Sequence, residues 1–229
     1  SATVTSSSLN FTTTPAPLIT AGSASSVNAS QASATLNSRL NVYSVPTGSV
    51  YFQLSTSNTF PNGSTSNLTP TPAYFNSGST YSVTADATSL TVGATYYFRL
   101  FASNANGSNY GTTSSFSLVA APTVTTGSAT TSGTTANLTG SVNANGDSTT
   151  SVRFYYATSL ASIGSATAYV SSSPTSATGA TNTSVTGSIT GLTAGSTYYY
   201  QLRATNSTGT SSGDTGSFTL AAADNTAPT

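Results

Sequence analysis

Six amino acids are missing from these 229 residues: cysteine, histidine, methionine, tryptophan, lysine and glutamate. Without cysteine there is no disulfide framework and no thiolate nucleophile or metal ligand. Without His, Cys, Lys or Glu, acid–base and nucleophilic catalysis lose their usual carriers. The remaining carboxylates are Asp86, Asp147, Asp214 and Asp224, which fall in different parts of the chain, and a serine nucleophile would have no base. The expectation is therefore a protein that is not an enzyme and carries no cofactor. No apolar run is long enough to span a bilayer as a helix, so membrane insertion is not expected. The opening residues SATVTSSS have neither the basic nor the apolar part of a secretory signal. The basic residues, Arg39, Arg99, Arg153 and Arg203, are scattered and make no face for nucleic acid.

Charge is the scarcest commodity. Charged residues make up 3% of the chain and the net charge is +0, against about 25–35% charged residues on an ordinary working surface. Nothing repels one copy from another. Such a coat is expected to be covered, by glycans or by other copies of the same chain. Lysine, a common guard of exposed sheet edges, is absent. Pro15, Pro17 and Pro122 guard the first strands, and Pro46, Pro61, Pro70, Pro72 and Pro174 punctuate loops.

What is present points to strands. Ser and Thr fill about two fifths of the chain, beside Tyr 13, Gly 19 and Pro 9. Thr, Val and Tyr favour pleated surfaces, and Gly and Pro supply turns. The 36% of hydrophobic residues suffices for the cores of two small β modules, which argues against disorder. No helical period of useful length occurs.

The chain also repeats itself. LTVGATYYFRLFASNANGSNYGTTSSFSL, from Leu90 to Leu118, matches LTAGSTYYYQLRATNSTGTSSGDTGSFTL, from Leu192 to Leu220, at a shift of 102 (192 − 90). The same shift maps Ser49 onto Ser151 and Ala34 onto Ala136; Pro17 and Gly22 match Pro122 and Gly127 at 105. A long gap-free match signals tandem modules, whose lengths before the second strand differ by three residues (105 − 102). In the second copy, strands are expected near Pro122–Thr126, Ala136–Val142, Ser151–Ala157, Ala166–Val170, Ser184–Ile189, Tyr198–Thr205 and Gly216–Leu220, at the spacing of a β-sandwich. FTTTPAPLITAG, from Phe11, matches FSLVAAPTVTTG, from Phe116, so the residues before Pro15 have the sequence of a module's last strand. Either a module precedes them in a longer array, or they form a strand donated to a neighbouring copy. The boundaries are an extra strand at 1–14, modules at 15–119 and 120–223, and at 224–229 a linker to a possible next module.

Leu192, Gly195, Tyr198, Tyr200, Leu202, Ala204, Asn206 and Gly209 resemble the E–F turn and F strand of fibronectin type III-like modules. Leu90, Gly93, Tyr96, Phe98, Leu100, Ala102, Asn104 and Gly107 largely repeat the pattern, and ANLTGSVNANG, from Ala136, resembles a bacterial variety found in secreted and surface proteins. The resemblance implies an all-β fold of two tandem Ig-like or fibronectin type III-like sandwiches with an extra N-terminal strand. It makes Tyr96 and Tyr198 the tyrosine corners. The Trp of the animal type is missing, and Ala194 stands where proline is usual; Leu36 and Leu138 are expected to fill that part of the core.

The run Tyr198-Tyr199-Tyr200 then has a simple reading. Successive side chains of a strand face opposite ways, so Tyr198 and Tyr200 face the core and Tyr199 faces out. The neighbouring third strand adds Arg153 and Tyr155 outward. One candidate interaction surface is therefore Arg153, Tyr155, Tyr199, Gln201 and Arg203. The other, in the first module, is Tyr51, Gln53, Tyr97, Arg99 and Phe101. Two readings of these faces stand side by side: Tyr and Arg anchor interfaces, and they also form cross-strand pairs that only stabilise a sheet. The arginines occupy different register positions in the two copies, which favours contact. The oxygen-rich loop Asn143-Ala-Asn145-Gly146-Asp147 has one carboxylate, too few for a tight calcium site, and reads as a turn with Gly146 at positive φ. Sequons at Asn10, Asn28, Asn62, Asn67, Asn106, Asn137, Asn182 and Asn206 permit glycosylation without arguing for it.

The expected function is that of a non-enzymatic structural protein outside a bacterial cell. It would be a subunit or segment of a surface filament, sheath, layer or adhesin whose partners are copies of itself and, at most, glycans. The alternative is a spacer or carbohydrate-binding module pair of a secreted polysaccharide-degrading enzyme, with a phage tail decoration as a third reading.

Overall fold

The computed structural model describes residues 14–43, 45–76 and 78–223. The strand expected over 1–14 and the linker over 224–229 lie outside the described residues, Thr14 excepted, which is in no strand. The chain folds as two compact units.

The strands of the first unit are β1 (Leu18–Ile19), β2 (Ser23–Asn28), β3 (Ser33–Asn41), β4 (Thr47–Ser55), β5 (Thr65–Leu68), β6 (Thr80–Ala87), β7 (Thr95–Asn104), β8 (Gly107–Tyr110) and β9 (Ser114–Ser117). One sheet has β3 at its centre, with β1 and β2 on one side and β6 on the other; the second runs β5-β4-β7-β8, with β9 also on β7. The β1–β3, β3–β6, β4–β5, β4–β7 and β7–β8 pairs are antiparallel. Alternation decides which residues make the core: Phe52, Phe98, Leu36, Leu40 and Leu100 are buried, and their chain neighbours on β3, β4 and β7 mostly are not. The three residues by which the copies differ are in the first copy of the repeat. Gly22 and Ala34 are twelve positions apart (34 − 22) where Gly127 and Ala136 are nine (136 − 127). They lengthen the β2–β3 connection, where the Asn28 side-chain oxygen accepts bonds from the Ser30 and Gln31 amides at 3.0 and 3.2 Å.

The second unit repeats the plan with β10 (Thr123–Ser132), β11 (Thr135–Asn143), β12 (Ser151–Ala157), β13 (Tyr169–Ser171), β14 (Asn182–Ile189), β15 (Thr197–Thr205), β16 (Thr210–Ser212) and β17 (Gly216–Thr219). Its sheets are β10-β11-β14 and β13-β12-β15-β16, with β17 also on β15. The strand expected over Ala166–Val170 begins only at Tyr169, because Leu160–Ser165 winds into a short 3-10 helix that buries Ile163. Between the sheets lie Leu138, Val142, Phe154, Val185, Ile189, Tyr200 and Leu202. Both units are thus all-β sandwiches, and Leu36 and Leu138 are fully buried where the tryptophan is missing.

Each sandwich is also tied along one edge. Thr71 and Thr84 exchange two backbone bonds at 2.7 and 3.0 Å, and Ser173 and Thr186 do the same at 2.7 and 3.0 Å. These bridges lie at the 102-residue shift from one another, so they are part of the repeat.

Candidate interaction faces

The three tyrosines divide as strand alternation requires. Tyr198 and Tyr200 are buried at 8% and 2% exposure, and Tyr199 between them is half-buried on the outer face. The Thr193 amide donates to the Tyr198 hydroxyl at 3.2 Å, five residues upstream, which ties the turn to the strand. Tyr198 stacks on Phe218 at 5.6 Å between ring centroids, and Tyr96 stacks on Phe116 at the same distance. Tyr200 reaches across the sandwich and donates its hydroxyl proton to the Gly127 carbonyl at 2.7 Å. Burial raises its pKa above the usual tyrosine value.

The outer face of the first unit gathers all five of its expected residues, and each is half-buried. Cross-strand register places Tyr51 opposite Phe101, Gln53 opposite Arg99 and Ser55 opposite Tyr97. The rings of Tyr51, Phe101 and Tyr110 form a row, with centroids 4.7 and 4.9 Å apart. Burial, and then the neighbouring Tyr110 phenol, hold the Tyr51 hydroxyl above the usual tyrosine range. The Arg99 guanidinium lies 4.3 Å from the centre of the Phe60 ring and 4.0 Å from that of Tyr110, and its Nε donates to Gln53 Oε1 at 2.8 Å. Phe60 folds back from the β4–β5 loop with φ +52 and is itself buried.

In the second unit Arg153 and Arg203 are direct cross-strand partners. Like charges so placed repel, and the two guanidinium groups diverge onto different rings. Arg153 lies 4.2 Å from the Tyr169 centroid and Arg203 lies 4.4 Å from that of Tyr155. Arg203 also donates from Nε to Gln201 Oε1 at 3.0 Å, and from its terminal nitrogen to the carbonyls of Ile163 and Gly164, the latter at 3.1 Å. Gln201 completes the set by donating to the Gly213 carbonyl at 2.8 Å. Tyr199 stands opposite Ala157 on one side and Ser217 on the other.

The arginines therefore share a job from unequal positions. Arg99 holds the loop after β4 through Phe60, and Arg203 holds the matching loop after β12 through two carbonyls at the end of the 3-10 helix. Their shifted register follows the different loops they fasten, an aromatic side chain in one copy and a helical turn in the other. Sequence reasoning found the strand residues but missed Phe60, Tyr110, Ile163 and Tyr169, which lie outside the paired third and sixth strands; the two exposed tyrosines were the available signal. Charge-assisted hydrogen bonds contribute about 1.5–3 kcal/mol and an exposed cation–π contact about 0.5–1 kcal/mol. Replacing Arg203 with alanine is accordingly expected to destabilise the second unit by about 2 kcal/mol, read as a lower urea midpoint. Lysine should restore only part of the loss, since it cannot present the forked donors.

Among the described residues, the other faces carry no arginine stacked on a ring. The outer surface of β10-β11-β14 pairs Asn137 with Ser188, Thr139 with Thr186, Ser141 with Ser184 and Asn143 with Asn182. A shallow groove there is lined by Thr130, Asn137, Thr139, Ser173, Thr186 and Ser188 among others, with no ionisable group. Asp86 accepts a bond from Thr35 at 2.9 Å. Asp147 accepts from the Ser207 hydroxyl and amide at 2.7 and 2.8 Å, and those bonds, the hydroxyl's first, lower its pKa. In the same loop Gly146 has φ +87, and Asn145 is fastened through its amide nitrogen to the Ala121 carbonyl at 2.7 Å. Among the described residues no three His, Cys, Asp or Glu side chains gather as a metal site, and no helix is long and apolar enough to cross a membrane.

No family model matches this sequence, and no curated protein does. Among solved structures, the FN1–FN3 domains of chicken CNTN1 share 13% identity at a TM-score of 0.40, covering 91% of this chain and 66% of that one. The chain thus spans just under two thirds of that structure. A Bacteroides uniformis protein named for carbohydrate binding shares 12% identity at a TM-score of 0.35, over 76% of this chain and 91% of that one. At such identities neither is a guide to what this chain binds.

Proposed function

We propose that this chain is a non-catalytic structural part of a bacterial extracellular assembly, and that its sandwiches pack against further copies of the same chain. The observation that carries the reading is where the charges are. Arg99, Arg153 and Arg203 lie over rings of their own sheets, and Asp86 and Asp147 are bonded to neighbouring hydroxyls. The broad face of β10-β11-β14 is left with Ser, Thr and Asn alone. That face has no ionic group of its own to keep copies apart, the exposed Arg39 and Asp214 lying elsewhere. Contacts made through it are short-range and indifferent to screening.

Electron microscopy and sedimentation of the purified chain over a range of concentration and salt test this. Polymers that persist unchanged as salt rises are expected. A species that stays monomeric at high concentration overturns the proposal. The carbohydrate-binding reading is favoured by one feature, the rings of Tyr110 and Tyr169, exposed at 48% and 43% beside the rows they end. Retardation of a monomer on gels cast with polysaccharide would support it instead.

A further inference from the structure

Three Asn-Gly pairs occur in the chain: Asn62-Gly63, Asn106-Gly107 and Asn145-Gly146. The structure treats them unequally. The Asn145 amide nitrogen donates to the Ala121 carbonyl at 2.7 Å and to Thr123 Oγ1 at 3.0 Å, and the Gly146 amide donates to the Gly179 carbonyl at 2.9 Å. Gly107 is the first residue of β8, in register with Asn104, and the Asn106 amide donates to Asn104 Oδ1 at 2.9 Å. Asn62 is exposed, and among the described residues neither its side chain nor the Gly63 amide has a hydrogen-bond partner. A Cβ placed on Gly63, which has φ +89, would meet nothing within 4 Å. The turn is held on either side of the pair: the Pro61 carbonyl accepts from the Ser64 amide at 3.3 Å and the Thr65 hydroxyl at 2.9 Å, and the Ser64 carbonyl accepts from the Ser55 hydroxyl at 3.0 Å.

We infer that Asn62 is the site at which this protein modifies itself, by deamidation through its own backbone. The Gly63 nitrogen attacks Asn62 Cγ and loses its proton to solvent; the bond from Cγ to Nδ2 breaks and ammonia leaves. Water then opens the five-membered imide at either carbonyl, giving aspartate or isoaspartate. Water is the only co-reactant and nothing is oxidised. Glycine is the favourable successor because it has no side chain to block the approach. The product carries a new carboxylate on a protein whose formal net charge is +0. It arises two residues from Phe60, the ring that covers Arg99.

Incubation of the full chain in warm, mildly alkaline buffer, followed by peptide mass mapping and ion-exchange chromatography, tests the inference. Conversion of amide to acid is expected first at Asn62, and about ten-fold or more slower at Asn145, the factor set by breaking one or two ordinary hydrogen bonds beforehand. Gly63→Ala should slow conversion at Asn62 and leave the other two rates alone. The inference is overturned if Asn106 or Asn145 converts first or if Asn62 stays intact while they convert. It is equally overturned if native material carries a sugar on the Asn62 nitrogen, since Asn62-Gly63-Ser64 is also a sequon and a glycosylated nitrogen is no longer the free amide.

Discussion

Truncation of Phe154 to alanine should remove about 3–5 kcal/mol from the second unit, the usual cost of deleting a buried aromatic ring. Phe154 has no exposed surface. On its own sheet it is the cross-strand partner of Leu202. Facing it on the other sheet are two glycines: a Cβ on Gly187 would come within 2.6 Å of the ring, and one on Gly140 within 3.6 Å. The ring therefore rests on bare backbone. When it is removed, the two glycines have no side chain to swing into the space, and the void forfeits contacts outright. A domain's whole stability is only about 5–15 kcal/mol, so the loss should show as a large fall in one urea transition. The slope of that transition should stay as it was, because the surface exposed on unfolding is nearly unchanged. A loss below about 1 kcal/mol would mean that the sheets close over the gap.

Those two glycines also explain how far the repeat could be read. At the 102-residue shift Gly140 and Gly187 correspond to Ser38 and Ala85, while Tyr200 corresponds to Phe98. One copy has smaller residues on one sheet and a larger one on the other, which preserves volume across the core. Alternation alone showed which residues point inward, since the strand period is two and any slip would turn every side chain over. It could not show which inward residues face each other across the sandwich, because that depends on how two sheets are set, a non-local fact. The same limit explains the late start of β13. The residues from Leu160 to Ser165 have no helical period, and they wind into a 3-10 turn because Ile163 is buried and its carbonyl receives Arg203.

The candidate faces were legible to the same depth. Tyr51, Gln53, Tyr97, Arg99 and Phe101, and their counterparts in the second unit, were placed by alternation along two paired strands, and each set comes together on the outer face of its own unit. The loops that fold back over those faces were not legible. Phe60 reaches Arg99 through a residue at positive φ, a conformation that no sequence pattern announces for phenylalanine. Unequal arginine positions suggested contacts particular to each module, and the structure supplies partners for them within the module itself. In the proposed function, the weight of self-association therefore falls on the uncharged sheet face and the phenol edges, not on the guanidinium groups.

Asn206 to alanine is the second substitution with a large expected cost, about 3 kcal/mol. Its side chain is 4% exposed. The amide nitrogen donates to the carbonyls of Ala120, Ala144 and Asp147 at 2.7, 3.2 and 3.4 Å. The oxygen accepts from the amides of Thr208 and Gly209 at 3.0 and 3.2 Å. One residue thus joins the end of β15 to the segment before β10 and to the loop after β11. Alanine leaves several of these groups buried without partners, at about 1–3 kcal/mol for each one that water cannot reach. Aspartate should do no better, because a carboxylate cannot donate to three carbonyls. Asn104, at the same place in the first unit, supplies the internal comparison. It is only half-buried, and its nitrogen donates to the Pro15 carbonyl at a long 3.4 Å. Asn104→Ala should therefore cost clearly less, and equal losses at the two positions would refute the burial argument. The same geometry settles one of the sequons. A sugar on the Asn206 nitrogen would have to displace bonds that close the second sandwich, so mass mapping of the folded chain should find this asparagine bare.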